Sequence, residues 1–258
     1  MKRMFMGLFM CTGVLLAPAV SAEEIRVAVA ANFLGTLERL VPLFEEESGH
    51  DLLLSAGSSG ALYAQIVNGA PFHVFFSADD RRPKALVDEG LAVPDSRQTY
   101  AMGVPVLWSA GEMDMEDPRA LLTEGDYRFL SVADPRNAPY GEAAREILQS
   151  MGMWTRLQEE GRLIRARSIG QTHSQVASGA AELGFVALSQ VRRPDGSVSG
   201  SQWIPPKAFY APIEQQRVLL QSAADFAPAR GFLEWMTSDT ARREIEAAGY
   251  AIPDTGSP

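Results

Sequence analysis

Four short stretches of the chain combine residue types that can hold a small anion without a formal positive charge. They are Ala30-Ala31-Asn32-Phe33, Gly57-Ser58-Ser59-Gly60, Ala138-Pro139-Tyr140-Gly141 and Ser168-Ile169-Gly170-Gln171-Thr172. In each, an apolar run ends, a few small or polar residues follow, and a helix-forming run begins. The first turn of a helix leaves backbone N–H groups without intrahelical acceptors. The aligned peptide dipoles place roughly half a positive charge there. Together they make an anion site that needs no Lys or Arg. The side chains of Asn32, Ser58 and Ser59 add directional donors. Each stretch alone is equally an ordinary helix cap or turn. Two in each half of the chain make a different case, because a cleft between the halves would set them face to face.

Other chemistry finds less support. Ser58 and Ser59 do not complete a Gly-x-Ser-x-Gly elbow, since Ala61 stands where the second glycine belongs. There is no Gly-x-x-x-x-Gly-Lys-Ser/Thr loop. His50, His73 and His173 are scattered, with no His-x-x-x-His pair to ligate a metal. His73, between Phe72 and Val74, reads as structural, and His173 lies beside the fourth stretch. No carboxylates form a recognisable acid/base pair: Asp79 and Asp80 read as a helix start and Asp134-Pro135 as a turn.

The elements that must position the four stretches follow from periodicity. Residues 25–31 are a short buried strand. Leu37, Leu40, Val41 and Phe44 recur at helical spacing within 34–47, and Gly49 stops that helix. Then come a strand at 51–55, a helix at 61–68, a strand at 74–77 and a helix at 83–89 with Gly90 after it. This alternation predicts a parallel sheet covered on both faces. A second unit has strands at 101–109, 129–133, 164–168 and 183–188, with helices at 141–151 and 172–178. A loop rich in Pro, Gly and Ser spans 194–206. A strand near 216–221 and a helical region at 228–248 close the chain.

We therefore expect an α/β protein of two Rossmann-like lobes joined by a hinge. Residues 23–100 plus 222–258 are assigned to one lobe and 101–221 to the other. The last helices are expected to return to the first lobe, so that the chain crosses between lobes twice.

The ends and the composition bound the setting. Lys2 and Arg3 precede an almost wholly apolar run at 4–16, and 17–22 ends in small residues. This reads as a secretory signal peptide cleaved after Ala22. Its apolar run is too short to span a bilayer stably, and no later stretch is apolar enough. Cys11, the only cysteine, lies inside it and lacks the small residue expected just before a lipidated cysteine. The remaining 236 residues (258 less 22) can bury a core without disulfides, and hold no thiol nucleophile or cysteine-ligated metal. With 21 basic and 32 acidic residues left, the net charge is −11, which argues against nucleic acid or anionic lipid as a partner. An anion must then be held by local donors and not by the global field.

The motifs also carry a family likeness. The chain resembles the periplasmic molybdate-binding proteins of ABC transporters, a branch of the type II solute-binding fold. The matching segments are Val29-Ala30-Ala31-Asn32-Phe33, Ala56-Gly57-Ser58-Ser59-Gly60, Asn68-Gly69-Ala70-Pro71-Phe72 and Phe76-Ser77-Ala78-Asp79. They continue through Ala133-Asp134-Pro135, Ala138-Pro139-Tyr140-Gly141 and Glu182-Leu183-Gly184-Phe185-Val186 to Phe232-Leu233-Glu234-Trp235 and Ala248-Gly249-Tyr250. The resemblance implies that uncharged donors bind a tetrahedral oxyanion between the lobes, with no cofactor and no direct protein ligand to the metal atom. It implies ligand contacts from Ala31, Asn32, Ser58, Ser59, Tyr140 and Ile169, the last two through backbone N–H. It implies a monomer that delivers molybdate or tungstate to a membrane permease from the periplasm, without enzymatic chemistry. The chain departs from the pattern at Asn32, where some members have a hydroxyl residue, and at Ala187, where some have a tyrosine donor. The Tyr140 hydroxyl is one candidate replacement for that donor. The four turns hold no carboxylate to accept the proton of hydrogen phosphate, although Asp134 and Glu142 lie nearby. That favours a fully deprotonated dianion: molybdate, tungstate or sulfate. An exported hydrolase on the same scaffold is the reading from another class.

Overall fold

The computed structural model of the protein describes residues 22–252. The signal-peptide reading and Cys11 fall on residues 1–21 and so lie outside the described residues, apart from Ala22. The elements in chain order are β1 (Glu24–Ala30), α1 (Leu34–Ser48), β2 (Asp51–Gly57), α2 (Ser59–Val67), β3 (Val74–Phe76), α3 (Arg81–Asp88) and β4 (Gln98–Gly103). Then follow β5 (Pro105–Ser109), α4 (Pro118–Glu124), β6 (Leu130–Ala133), α5 (Pro139–Ser150), α6 (Trp154–Glu159), β7 (Leu163–Ala166) and α7 (Ile169–Ala177). The rest are β8 (Leu183–Ala187), α8 (Leu188–Val191), β9 (Ser201–Trp203), β10 (Ile213–Leu219), α9 (Ala227–Trp235) and α10 (Asp239–Ala247).

Two five-stranded sheets organise them, in the orders β2-β1-β3-β10-β4 and β7-β6-β8-β5-β9. Both sheets are mixed, not wholly parallel as the alternation predicted. β2, β1 and β3 run parallel, but β10 pairs antiparallel with β3 and β4. β7, β6 and β8 run parallel, but β5 pairs antiparallel with β8 and β9. The reason is the crossing between lobes. A strand arriving from the other lobe needs no crossover helix, so it can enter in the opposite sense.

The crossings also move the expected lobe boundaries. The apolar run 101–109 is not one strand: it breaks at Val104, with β4 in the first sheet and β5 in the second. The return lies between β9 and β10, so Ile213–Leu219, assigned by sequence to the second lobe, pairs in the first sheet. Pattern reading stops at a strand's own residues and does not reveal its partner. The elements α4, α6, α8 and β9 were not legible either, being only three to seven residues long.

The central strands of each sheet are buried on both faces, while the edge strand β2 is partly exposed. Ile25, Val27 and Val29 of β1 pack on Leu37, Leu40 and Phe44 of α1 and on Phe232 and Ile245 of the last two helices. Ala28, Phe75 and Val218 point the other way, onto Leu62, Ile66 and Leu86. The helices α9 and α10 pack on the same face of the first sheet as α1. In the second lobe Leu107, Leu130, Val132, Leu183 and Phe185 pack against Ile147, Leu148 and Leu157. Burying each such side chain stabilises by about 1.5–3 kcal/mol before the entropic cost of ordering it. A separate cluster of mostly alanines joins the lobes at the strand ends: Ala30, Ala78, Ala133, Ala138 and Ala187, with Tyr140 and Ile169. Small side chains there let the loops after β1, β3, β6 and β8 come close together.

Candidate functional site

The six residues singled out from sequence, Ala31, Asn32, Ser58, Ser59, Tyr140 and Ile169, line one cleft between the lobes. Its cavity volume is about 10 Å³, room on the order of one water-sized group. So small a space suits a compact inorganic ion and not an organic ligand, whose pockets run to about 300–1,000 Å³.

Each of the four turns withholds backbone donors from its own helix. After β1, the Ala31 N–H donates to Gly57 O (2.9 Å) and the Phe33 N–H to Ala30 O (2.8 Å), while the Asn32 N–H has no acceptor among the described residues. The expected contribution from Ala31 is thus not its N–H, which is spent on holding the turn against β2. Phe33 locks the turn by packing on Phe76, Tyr100 and Tyr250 at centroid distances of 5.7, 4.6 and 5.6 Å.

At α2, Ser58 Oγ accepts the Ala61 N–H (3.3 Å), an ordinary N-cap. Ser59 Oγ accepts the Ala78 N–H (2.9 Å), tying the end of β3 to the helix start. Its hydroxyl proton and its backbone N–H have no acceptor among the described residues. The Gly60 N–H donates to Asn137 O across the cleft (2.9 Å). At α5, Pro139 occupies the first helical position and has no N–H to satisfy. The N–H groups of Gly141 and Glu142 both go to Ala138 O, leaving that of Tyr140 free among the described residues. At α7, Ser168 Oγ accepts the Gln171 N–H (3.2 Å) and Ser168 O accepts that of Thr172, leaving Ile169 and Gly170.

Free N–H groups of Asn32, Ser59, Tyr140 and Ile169 therefore converge from four loop-to-helix turns, two from each lobe. Four half-charges sum to about two positive charges, matched to a dianion. No residue lining the cleft is ionisable apart from the buried Tyr140, whose phenol is pushed well above the ordinary tyrosine value by burial.

The nearby carboxylates are occupied. Asp134 accepts from Arg136 Nη2 (2.7 Å), and that hydrogen bond holds its carboxyl below the usual range. Glu142 pairs with Arg81 across the cleft, and Asp79 with Arg82. Arg82 Nη2 also donates to Arg136 O of the other lobe (3.3 Å). The lobes thus stand closed.

Ala187 is fully buried behind the cleft, and its N–H donates to Gln190 Oε1 (3.0 Å). Gln190 Nε2 in turn donates to Ile169 O (3.4 Å), steadying the fourth turn. The Tyr140 hydroxyl accepts from Gln215 Nε2 (3.2 Å) and abuts Gly103, where any Cβ would overlap it. His173 is not on the cleft; it stacks on Trp108 (5.2 Å, 11° between planes). His73 Nδ1 accepts the Arg26 N–H (3.1 Å).

Sequence reasoning missed a buried polar network behind the first turn. Asn32 Nδ2 donates to Gln215 Oε1 (2.8 Å) and to the Tyr250 hydroxyl (3.0 Å). The Tyr100 hydroxyl donates to Gln215 Oε1 (3.0 Å), and Ser189 Oγ reaches Tyr250 from the second lobe (2.7 Å). One signal was present: the polar run Glu214-Gln215-Gln216-Arg217 inside a strand of which Gln215 is wholly buried.

Comparison with known proteins fits this geometry. Residues 25–251 match the family model described as bacterial extracellular solute-binding protein. The chain is 42% identical to the molybdate-binding protein ModA of Azotobacter vinelandii, over 92% of this chain and 94% of that protein. It is 43% identical to the molybdate-binding protein ModA of Rhodobacter capsulatus, over 91% of each. Its fold is similar to the solved Azotobacter vinelandii periplasmic molybdate-binding protein, with a TM-score of 0.87 and 46% identity over 89% of this chain and 100% of that one.

Proposed function

From the premise that this chain belongs to the bacterial extracellular solute-binding proteins, in their molybdate-binding group, we propose that it captures molybdate between its lobes and delivers it to the permease of an ABC transporter. It is a binding protein and not an enzyme. The observation that carries the ligand class is the convergence of four unspent backbone N–H groups in a cleft with no charged side chain. A dianion without protons is best served by donors alone. Hydrogen phosphate would be served best by a carboxylate acceptor, and the neighbouring carboxylates are already paired with arginines. Asn32, Ser59, Tyr140 and Ile169 carry the contacts, with Ser58 as the cap that keeps α2 aimed and Ala31 as part of the wall. Tungstate, with the same charge and shape, binds alike. The protein works as a monomer in the periplasm, after loss of residues 1–22, and its lobes close about the β4–β5 and β9–β10 crossings.

Titration calorimetry of residues 23–258 with molybdate, tungstate, sulfate and phosphate tests this. Micromolar or tighter binding of molybdate and tungstate, weaker sulfate binding and no heat with phosphate are expected. Absence of heat with both heavier anions overturns the reading. Tight sulfate binding with weak molybdate binding would reassign the ligand within the same class.

A further inference from the structure

Asn32 Oδ1 is buried and has no hydrogen-bond partner among the described residues. Its amide nitrogen faces the inner network, so the oxygen is left on the other edge of a side chain that lines the cleft. An acceptor is the wrong group to offer an anion, and an unpaired buried one is costly. The rest of the network is imperfect in the same sense. The Tyr140 hydroxyl accepts from Gln215 Nε2 (3.2 Å), and its own proton has no acceptor among the described residues. Tyr100 has one proton and two acceptors in reach, Gln215 Oε1 (3.0 Å) and Ser77 O (3.2 Å).

Turning both amides over repairs all three faults with the heavy atoms in place. Gln215 Oε1 then takes the Tyr140 proton. Gln215 Nε2 donates to Asn32 Oδ1 and to the Tyr100 oxygen, and Tyr100 donates to Ser77 O. Tyr250 turns its proton from Asn32 O to Asn32 Oδ1, and Ser189 Oγ, 3.0 Å from Asn32 O, covers that carbonyl. Asn32 Nδ2 is freed on the cleft edge as a donor. The amides must turn together, because each faces the other: if only one turned, two N–H groups or two oxygens would oppose.

We propose that Gln215 is a positioning residue for ligand recognition: it dictates which way the Asn32 amide faces, and with both amides turned in this way Asn32 presents Nδ2, a donor, to the bound anion. This rests on the cleft being an oxyanion site. Gln215 touches Tyr140 of the second lobe and Asn32 of the first, so the donor forms where the lobes meet. Specificity for a proton-free anion then comes from a residue that does not contact it.

A double-mutant cycle separates this role from simple packing. Calorimetry with molybdate is run on the wild type, Gln215→Leu, Asn32→Ala and the double variant. Gln215→Leu is expected to weaken molybdate binding by about tenfold or more, the scale of a lost charge-assisted hydrogen bond. In the Asn32→Ala background the same change is expected to matter less than about twofold. Additive losses, or an Asn32→Ala variant with unchanged affinity, overturn the proposal. Gln215→Glu supplies an arm that does not depend on comparing separately folded variants. As a carboxylate it only accepts, fixing Asn32 Oδ1 toward the anion; protonated, it resembles glutamine. The titratable groups facing it are Tyr100, Tyr140 and Tyr250, which burial keeps neutral, and the fixed charges that reach Tyr100 are Asp79 and Arg217. Its molybdate affinity is therefore expected to recover as pH falls from about 8 toward about 5. A loss that does not change with pH overturns the proposal. If the wild type binds no oxyanion, the functional reading fails instead, which is a distinguishable result.

Discussion

The two lobes meet in two chemically different places. Inside, Asn32, Tyr140 and Gln215 are 0–2% exposed, all are neutral, and every polar contact is an amide, a hydroxyl or a backbone group. At the rim, Arg81 and Glu142 pair across the cleft with side chains 62% and 27% exposed, beside Arg82 and Arg136. In the interior a misplaced donor cannot be replaced by water, so geometry is enforced. At the rim, water and salt screen the pair and its partners are interchangeable. In the function proposed above, the interior selects the ligand, while the rim adds only to the closed form. The net acidity of the chain is compatible with an anionic ligand because the donors that matter are short-range.

The sharpest way to break this contrast is to put a charge inside. Ser59→Asp should cost molybdate binding about 3–5 kcal/mol, the scale of an uncompensated buried charge, and calorimetry reads it directly. Ser59→Ala removes one donor and orphans the Ala78 N–H; a loss of about 1–3 kcal/mol is expected, and unchanged affinity would remove Ser59 from the site. Gly60→Ala tests closure. The new Cβ would lie 3.0 Å from both Asn137 Cα and Asn137 O, backbone atoms of the opposite lobe. Affinity should fall by about 1–2 kcal/mol, with small-angle scattering showing a wider bound form. Glu142→Gln should change affinity by less than about 1 kcal/mol, and the difference should vanish in high salt; a larger effect would make the rim a selector. Least of all should pH matter. Burial raises the phenols of Tyr100, Tyr140 and Tyr250, and an acid whose value is raised keeps its proton to higher pH. Wild-type molybdate affinity should therefore be flat between about pH 6 and pH 9.

Much of the cleft was legible in the sequence because its parts are local. Gly57-Ser58-Ser59-Gly60 and Pro139-Tyr140 announce helix starts within a few residues, and helix starts are where free N–H groups occur. The strand-helix alternation gave the lobes for the same reason. What stayed hidden was pairwise and distant. Asn32 and Tyr250 are 218 positions apart, and Asn32 and Gln215 183 apart. No spacing rule links them. Val104 looks like any residue in an apolar run, although the chain changes lobes there. That the Ala31 N–H was already committed could be seen only once Gly57 O lay beside it.

β10 lies between β3 and β4, inside the first sheet, yet is the last strand made. The two lobes therefore cannot mature in chain order. Every strand of the second sheet lies within residues 105–203, so that sheet can be complete while the first still has a gap between β3 and β4. The first sheet must wait for a segment about 140 residues downstream of β3, a closure slowed by its long loop. Until then β3 and β4 present unpaired edges, which are templates for association with other chains. The lobe that carries Asn32 and Ser59 is the one with the long-range closure, so its side of the cleft is completed late. A chain cut short before residue 213 would have a finished second sheet and an unfinished first.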